Sequence, residues 1–365
     1  MMPTVLFECH HLYYLPQLRP IMAELQRRGG YHLAASIPRT VNADEQASFR
    51  EAILALGIEL IAADTEDDRL AQLSGRAFDV VIVGNVGRLD RIVAPHSLAV
   101  MVYHGIGLKS SYYRDMSPRI DLLAVESEAR LDTWRRKGIS SGVLTGMTKL
   151  DPLATEPDRK AGTLATLDLD PQRPTVLYAP TFYPSSLPAA LPGIAELSMQ
   201  VNVIIKLHHF SWHQKRYLRQ SVAAAELSGL DGVALVPAEK FDILPYYQAA
   251  DALISDISST LFEFLALGRP ILQTDFASLR WRHRLFPWRV RRRMDLQRAA
   301  QVDFARRVSH PGELAAMTLA ELEHPAALKK QRKAAAELHL YRVGDGQASA
   351  RLVDAIDAAL ESRSR

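Results

Sequence analysis

The feature that most constrains this chain is an alternation along its length. Short apolar runs recur, and between most of them lies a longer stretch with helical spacing. The runs are Thr4–Glu8, His32–Ser36, Glu59–Ala62, Asp79–Val83, Ala99–Tyr103, Leu122–Glu126 and Gly142–Thr145. Helical patterns such as Leu18–Arg28 and Ala47–Leu56 separate them. Gly29-Gly30 and Gly57 stand where helix ends favour a left-handed residue. Strands alternating with helices predict a parallel sheet covered on both faces. The pattern breaks over Asp151–Pro174, rich in Pro, Asp and Thr, and resumes with Thr175–Ala179, Asn202–Leu207, Val233–Val236, Ala252–Ser255 and Pro270–Gln273. The expected organisation is an N-terminal α/β domain over 1–150, a linker over 151–174, a second α/β domain over 175–310 and C-terminal helices over 311–365.

Composition agrees with that reading. The 365 residues suit two domains, and 48% hydrophobic with 23% charged residues suits well-cored domains. No apolar run approaches the roughly 20 residues of a membrane helix. The first 18 residues lack a basic start, and His10 and His11 interrupt their apolar part, so no signal peptide is expected. The single cysteine, Cys9, excludes an intramolecular disulfide and a CxxC metal site. A cytoplasmic location follows as the default, with peripheral attachment to the inner face of the cell membrane as an extension.

Net charge is only +3, but Arg280–Arg298 concentrates eight arginines with Trp281, Phe286 and Trp288 among them. Arg280, Trp281, Arg284, Trp288, Arg291, Arg292 and Arg293 form a candidate surface for an anionic membrane or an anionic acceptor. The same residue types could meet nucleic acid, but no nucleic-acid fold signature accompanies them. A solvated loop, or arginines paired with acidic helices, is the plain alternative.

Ligands of open α/β sheets bind beyond the carboxyl ends of the strands, and five polar clusters fall there. Ser255-Asp256-Ile257-Ser258-Ser259-Thr260 follows one strand and opens a helix, a setting that holds phosphate. Thr260 and Glu263 also fit a T-x-x-E capping box, which would account for part of the cluster without a ligand. The second cluster is "VYHGIGLKSSYY", where His104 could act as a general base and Gly105 allows close backbone approach. Lys109 could meet a phosphate there; an ordinary strand-to-helix turn is the rival. In "IIKLHHF", Lys206 and His208 share a strand face and suit a phosphate leaving group. "VLYAPTF" offers Thr181, and "TGMTKLD" offers Lys149 and Asp151; alone, each is a strand end or a hinge turn. A P-loop, a GxGxxG fingerprint and a GxSxG elbow are absent. Asp168-x-Asp170 lies in the linker and is discounted as a metal site. No metal is expected.

In chain order the clusters read His-Gly-x-x-x-Lys, Gly-x-x-Lys-x-Asp, Tyr-Ala-Pro-Thr, Ile-Lys-Leu-His and Asp-x-Ser-Ser, with Phe-Glu-Phe and Arg-Pro-Ile following. This series, from His104 to Leu272, resembles the CDP-glycerol glycerophosphotransferase family, the teichoic-acid primases and polymerases. The resemblance implies a GT-B arrangement, two Rossmann-like domains facing a cleft, with 1–150 on the acceptor side and 175–310 on the nucleotide-donor side. It implies a CDP-activated alcohol as donor, no cofactor, and a glycan or lipid-linked acceptor. It casts His104 as the base for the acceptor hydroxyl. It places Lys206 and His208 beside the departing CMP, and Ser258, Ser259 and Thr260 at the donor phosphates, with Asp256 placing their loop. Gly105, Lys109, Lys149, Thr181 and Glu263 are further substrate-binding candidates. The chain departs from the family wording at Ile106-Gly107, at Met147-Thr148-Lys149, at Phe182-Tyr183 and at His209. Two other classes stay open from the residues: a UDP-sugar-dependent GT-B glycosyltransferase or 2-epimerase-like enzyme, and a non-catalytic nucleotide-binding scaffold.

Overall fold

A computed structural model describes residues 2–103, 105–106, 116–277, 279 and 302–364. The chain forms two compact units. The first holds the N-terminal residues through residue 155 and takes back residues 338–365; the second is built mainly from 156–337.

The first unit is a seven-stranded sheet of β1 (Thr4–Glu8), β2 (His32–Ser36), β3 (Glu59–Ile61), β4 (Val80–Val83), β5 (Leu98–Val102), β6 (Leu122–Val125) and β7 (Gly142–Leu144). Their order is β3-β2-β1-β4-β5-β6-β7, and every pairing is parallel. Strand order reverses direction between β1 and β4. Val80–Val83 is buried at every position, as a central parallel strand covered on both faces must be. Leu6, Phe78, Val81, Leu123 and Trp134 belong to one continuous core.

The second unit is a six-stranded parallel sheet in the order β10-β9-β8-β11-β12-β13. Its strands are β8 (Thr175–Tyr178), β9 (Asn202–Ile205), β10 (Val233–Leu235), β11 (Ala252–Ser255), β12 (Ile271–Thr274) and β13 (Arg306–Val308). The reversal here lies between β8 and β11. Val176, Ile194, Val203, Ile254, Leu272 and Leu314 share its core.

The twelve strands expected from the apolar runs are present, with borders that coincide or shift by no more than two residues. β13 has no counterpart in that reading. Its Arg306 and Arg307 are exposed and only Val308 is buried, because an edge strand has one neighbour and need not be apolar. Helix α1 (Leu15–Arg28) starts one turn before Leu18, and α2 (Ala43–Ala55) starts before Ala47. The α2 start is set by Asn42, whose side chain accepts from the Glu45 N–H at 2.8 Å.

The final helix, Ala348–Ser364, belongs to the first unit. Both carboxylate oxygens of Asp151 cap it, accepting from Ala348 N–H at 3.0 Å and Ser349 N–H at 2.7 Å. The Arg351 Nε donates to the Thr145 carbonyl at 2.6 Å. Gly146 sits at φ +90°, and a Cβ there would lie 2.9 Å from the Tyr341 carbonyl. Arg28 reaches Asp357 at 3.1 Å and the Ala350 carbonyl at 3.0 Å.

Candidate active site

In the second unit the strand reversal gathers three of the five clusters. β9, β8 and β11 are neighbours, so their carboxyl ends share one edge. Lys206 and His208 follow β9, Thr181 follows β8, and Asp256, Ser258 and Ser259 follow β11. An open α/β sheet has its natural ligand crevice at such a reversal.

Asp256 ties two of these loops together. It is 1% exposed. Its carboxylate accepts from Thr181 N–H at 2.7 Å, Ser186 N–H at 3.1 Å and Ser186 Oγ at 3.1 Å. Burial pushes its pKa from an ordinary 3.8 up to about 6, against the lowering effect of those donors. Both oxygens are therefore committed to holding the segment after β8. Ser255 reinforces the link: its hydroxyl donates to the Ala179 carbonyl at 2.6 Å and contacts the Thr260 hydroxyl at 2.8 Å.

Ser258, Ser259 and Thr260 are half-buried. The capping box does not form. Helix Thr260–Glu263 is capped at Ser259 without a side-chain bond. Glu263 is buried and accepts from the Tyr247 hydroxyl at 2.9 Å. Thr260 is thus a first helical residue bonded back to Ser255, and Glu263 serves the core; packing toward Tyr247 wins over the local box.

His208 caps helix His209–His213, its Nδ1 accepting from Phe210 N–H at 3.1 Å. A ring nitrogen that accepts carries no proton, so the neutral ring has its N–H at Nε2. Phe182 packs on the His208 ring at 4.6 Å and Phe210 lies 5.2 Å away. The Phe182 carbonyl accepts from Gln220 at 2.9 Å. The imidazole is thereby held by groups from the loops after both β8 and β9. Lys206 is buried at the end of β9, with its N–H donating to the Tyr178 carbonyl at 3.0 Å.

In the first unit, β5 leads to Tyr103, Gly105 and the position of His104. Tyr103 stacks on the buried Trp134 at 6.2 Å, and the Arg130 guanidinium lies 4.6 Å above the Tyr103 ring. Arg130 is held in turn by Glu126 at 3.3 Å. Gly105 is buried. Lys149 is half-buried in a short turn whose Thr148 hydroxyl donates to the Gln17 carbonyl at 2.8 Å. His104 and Lys109 lie outside the described residues, as do Arg280, Trp281, Arg284, Trp288, Arg291, Arg292 and Arg293 of the basic segment.

The strand reversal of the first sheet, between β1 and β4, carries polar groups that none of the five clusters contains. His10, just past β1, has Nε2 3.0 Å from the Gly87 carbonyl. A carbonyl only accepts, so Nε2 carries the proton and Nδ1 is an acceptor; Nδ1 is buried with no hydrogen-bond partner among the described residues. Burial lowers the His10 pKa to about 4. Glu45 fastens the same loop, accepting from Leu12 N–H at 2.9 Å. The signal for Glu45 was visible as Asn42-x-x-Glu45, a capping pattern; His10 carried no local signal beyond its place after a strand.

Two parallel α/β units, each with polar loops at a sheet reversal, define a GT-B-like architecture. The structure of the wall teichoic acid polymerase TagF is similar over 100% of this chain and 90% of that one, at 16% identity and TM-score 0.73. A structure of a TagF variant soaked with CDPG is similar at 14% identity and TM-score 0.70, covering 100% and 90%. UDP-GlcNAc 2-epimerase of Neisseria meningitidis shares the fold at 15% identity and TM-score 0.62, covering 97% and 100%. No curated protein matches the chain. The profile of the CDP-glycerol:poly(glycerophosphate) glycerophosphotransferase family matches residues 109–358. The chain belongs to that family and is one of its enzymes.

Proposed function

We propose that this enzyme moves glycerol phosphate, or a closely related polyol phosphate, from a CDP-activated donor to a glycan or lipid-linked acceptor in cell-envelope or capsule polymer synthesis. The observation that carries the reading is the shared carboxyl edge of β9, β8 and β11. It groups a buried lysine, an oriented histidine and a pair of partly exposed serines over the reversal of the second sheet. The family's own donor, CDP-glycerol, supplies the nucleotide.

In this reading the acceptor hydroxyl attacks the phosphorus bearing the polyol. The bond from that phosphorus to the CMP oxygen breaks, and CMP leaves. His104 takes the acceptor proton. Lys206 offsets charge on the departing phosphate, and the Nε2–H of His208 donates to the leaving oxygen. Ser258 and Ser259 bind the donor phosphates. Phosphoryl transfer needs position and charge stabilisation more than covalent help, and these groups supply both.

Among the described residues no helix is long and apolar enough to cross a membrane. Attachment at the inner membrane face would then fall to the arginine-aromatic segment; co-sedimentation with anionic liposomes tests it, and indifference to anionic lipid refutes it.

Calorimetric titration with CMP, UMP, GMP and AMP tests the donor. CMP preference, followed by CMP release from CDP-glycerol, is the expected result. UMP preference would overturn it in favour of a UDP-sugar enzyme, and binding without turnover on any acceptor would favour a scaffold.

A further inference from the structure

A cavity of about 420 Å³ opens at the carboxyl ends of β2 and β3 in the first unit. Its volume falls in the range of small-molecule sites, roughly 300–1,000 Å³. The floor is apolar, with Phe49 and Ile61 buried. One wall is a single face of α2: Ala43, Gln46, Ala47 and Arg50 stand at i, i+3, i+4 and i+7 and all line it. The small residues leave the space open. Arg39 and Arg50 supply two cations, and Asp64 one carboxylate.

The Arg39 side is braced. Gln46 accepts from the Arg39 guanidinium, and its amide donates to the carbonyls of Arg39 at 3.2 Å and Val41 at 2.9 Å. The Arg39 backbone N–H donates to Glu66 at 2.8 Å. A cation held in this way loses less freedom on meeting an anion. Guanidinium groups suit phosphate oxygens, and a carboxylate suits hydroxyl donors. Polyol phosphate carries both, and its carbon backbone suits the apolar floor.

We propose that this groove binds a phosphate-bearing polyol segment of the acceptor polymer. The inference rests on the polyol-phosphate transfer reading and adds to it a subsite for a chain already built.

The test is direct binding of a synthetic glycerol-phosphate trimer to the full-length protein, with glycerol 3-phosphate as the monomer control. Arg39→Ala/Arg50→Ala removes the charge, and Ala47→Phe fills the space with the charge kept. Each variant is expected to bind the trimer about tenfold or more weakly, with unchanged circular dichroism. Arg50→Lys is expected to retain part of the affinity, and the salt dependence of binding is expected to fall in the double variant. No trimer binding by the wild type, equal trimer binding by both groove variants, or a monomer as tight as the trimer would overturn the inference. CMP affinity, read on the same samples, judges the donor reading separately.

Discussion

Asp256 is a buried carboxylate whose two oxygens tie the loop after β11 to the segment after β8. Its pKa of about 6 in the folded protein lies above the ordinary 3.8. The folded state therefore holds more protons between those values, and the contribution of Asp256 to stability is fully present below about pH 4 and falls as pH rises through 6. Asp256→Asn cannot titrate. In denaturant titrations, the stability of the wild type minus that of the variant should decline from pH 4 to pH 7; a flat difference would show that another group carries the titration. At His208 Nδ1 caps a helix, and the proposed function gives Nε2 a separate task. Asparagine caps helices well, so His208→Asn should keep the fold within a few degrees of melting temperature. CMP release should fall by about a hundredfold or more, the usual worth of one positioned hydrogen-bond donor to developing negative charge. Retained turnover would remove His208 from the chemistry.

At the scale of elements, two loops depend on close contact. A Cβ on Gly84 would lie 2.0 Å from the ring of the buried Tyr14. Gly84→Ala should destabilise by about 1–3 kcal/mol, as overpacked sites do, and equilibrium unfolding would show it. Asp151 caps the final helix through two backbone N–H groups. Asp151→Ala should cost about 1–2 kcal/mol, and hydrogen exchange should locate the loss in the first turn of that helix. A change elsewhere would refute the capping role. The Gly146–Asp151 stretch, legible in the sequence only as a polar cluster, thus fastens a helix nearly two hundred residues away. No local pattern could have paired Asp151 with Ala348, because the partner N–H groups are backbone and look alike at every residue.

At the scale of the molecule, the chain leaves the first unit, builds the second and comes back. Helix Ala348–Ser364 closes on the first unit through Asp151, Arg28 and Arg363, the last reaching Asp121 at 2.8 Å. Truncation after residue 337 should therefore raise amide exchange across the first unit and leave the second sheet protected. Equal loss in both units would refute this division of stability.

The strands, their parallel arrangement and the chemistry-bearing types at their ends were readable because apolar runs and turn residues are local properties of a chain. Lys206, His208, Thr181, Asp256 and Ser258 could each be seen as a strand-end polar residue. Their common edge was decided by the order β9-β8-β11, a matter of long-range pairing. The role of Asp256 as a brace, the turn of Glu263 toward Tyr247, and the neutral buried state of His10 were also tertiary decisions. In each case burial and a distant partner determine what a side chain does, and the sequence records neither.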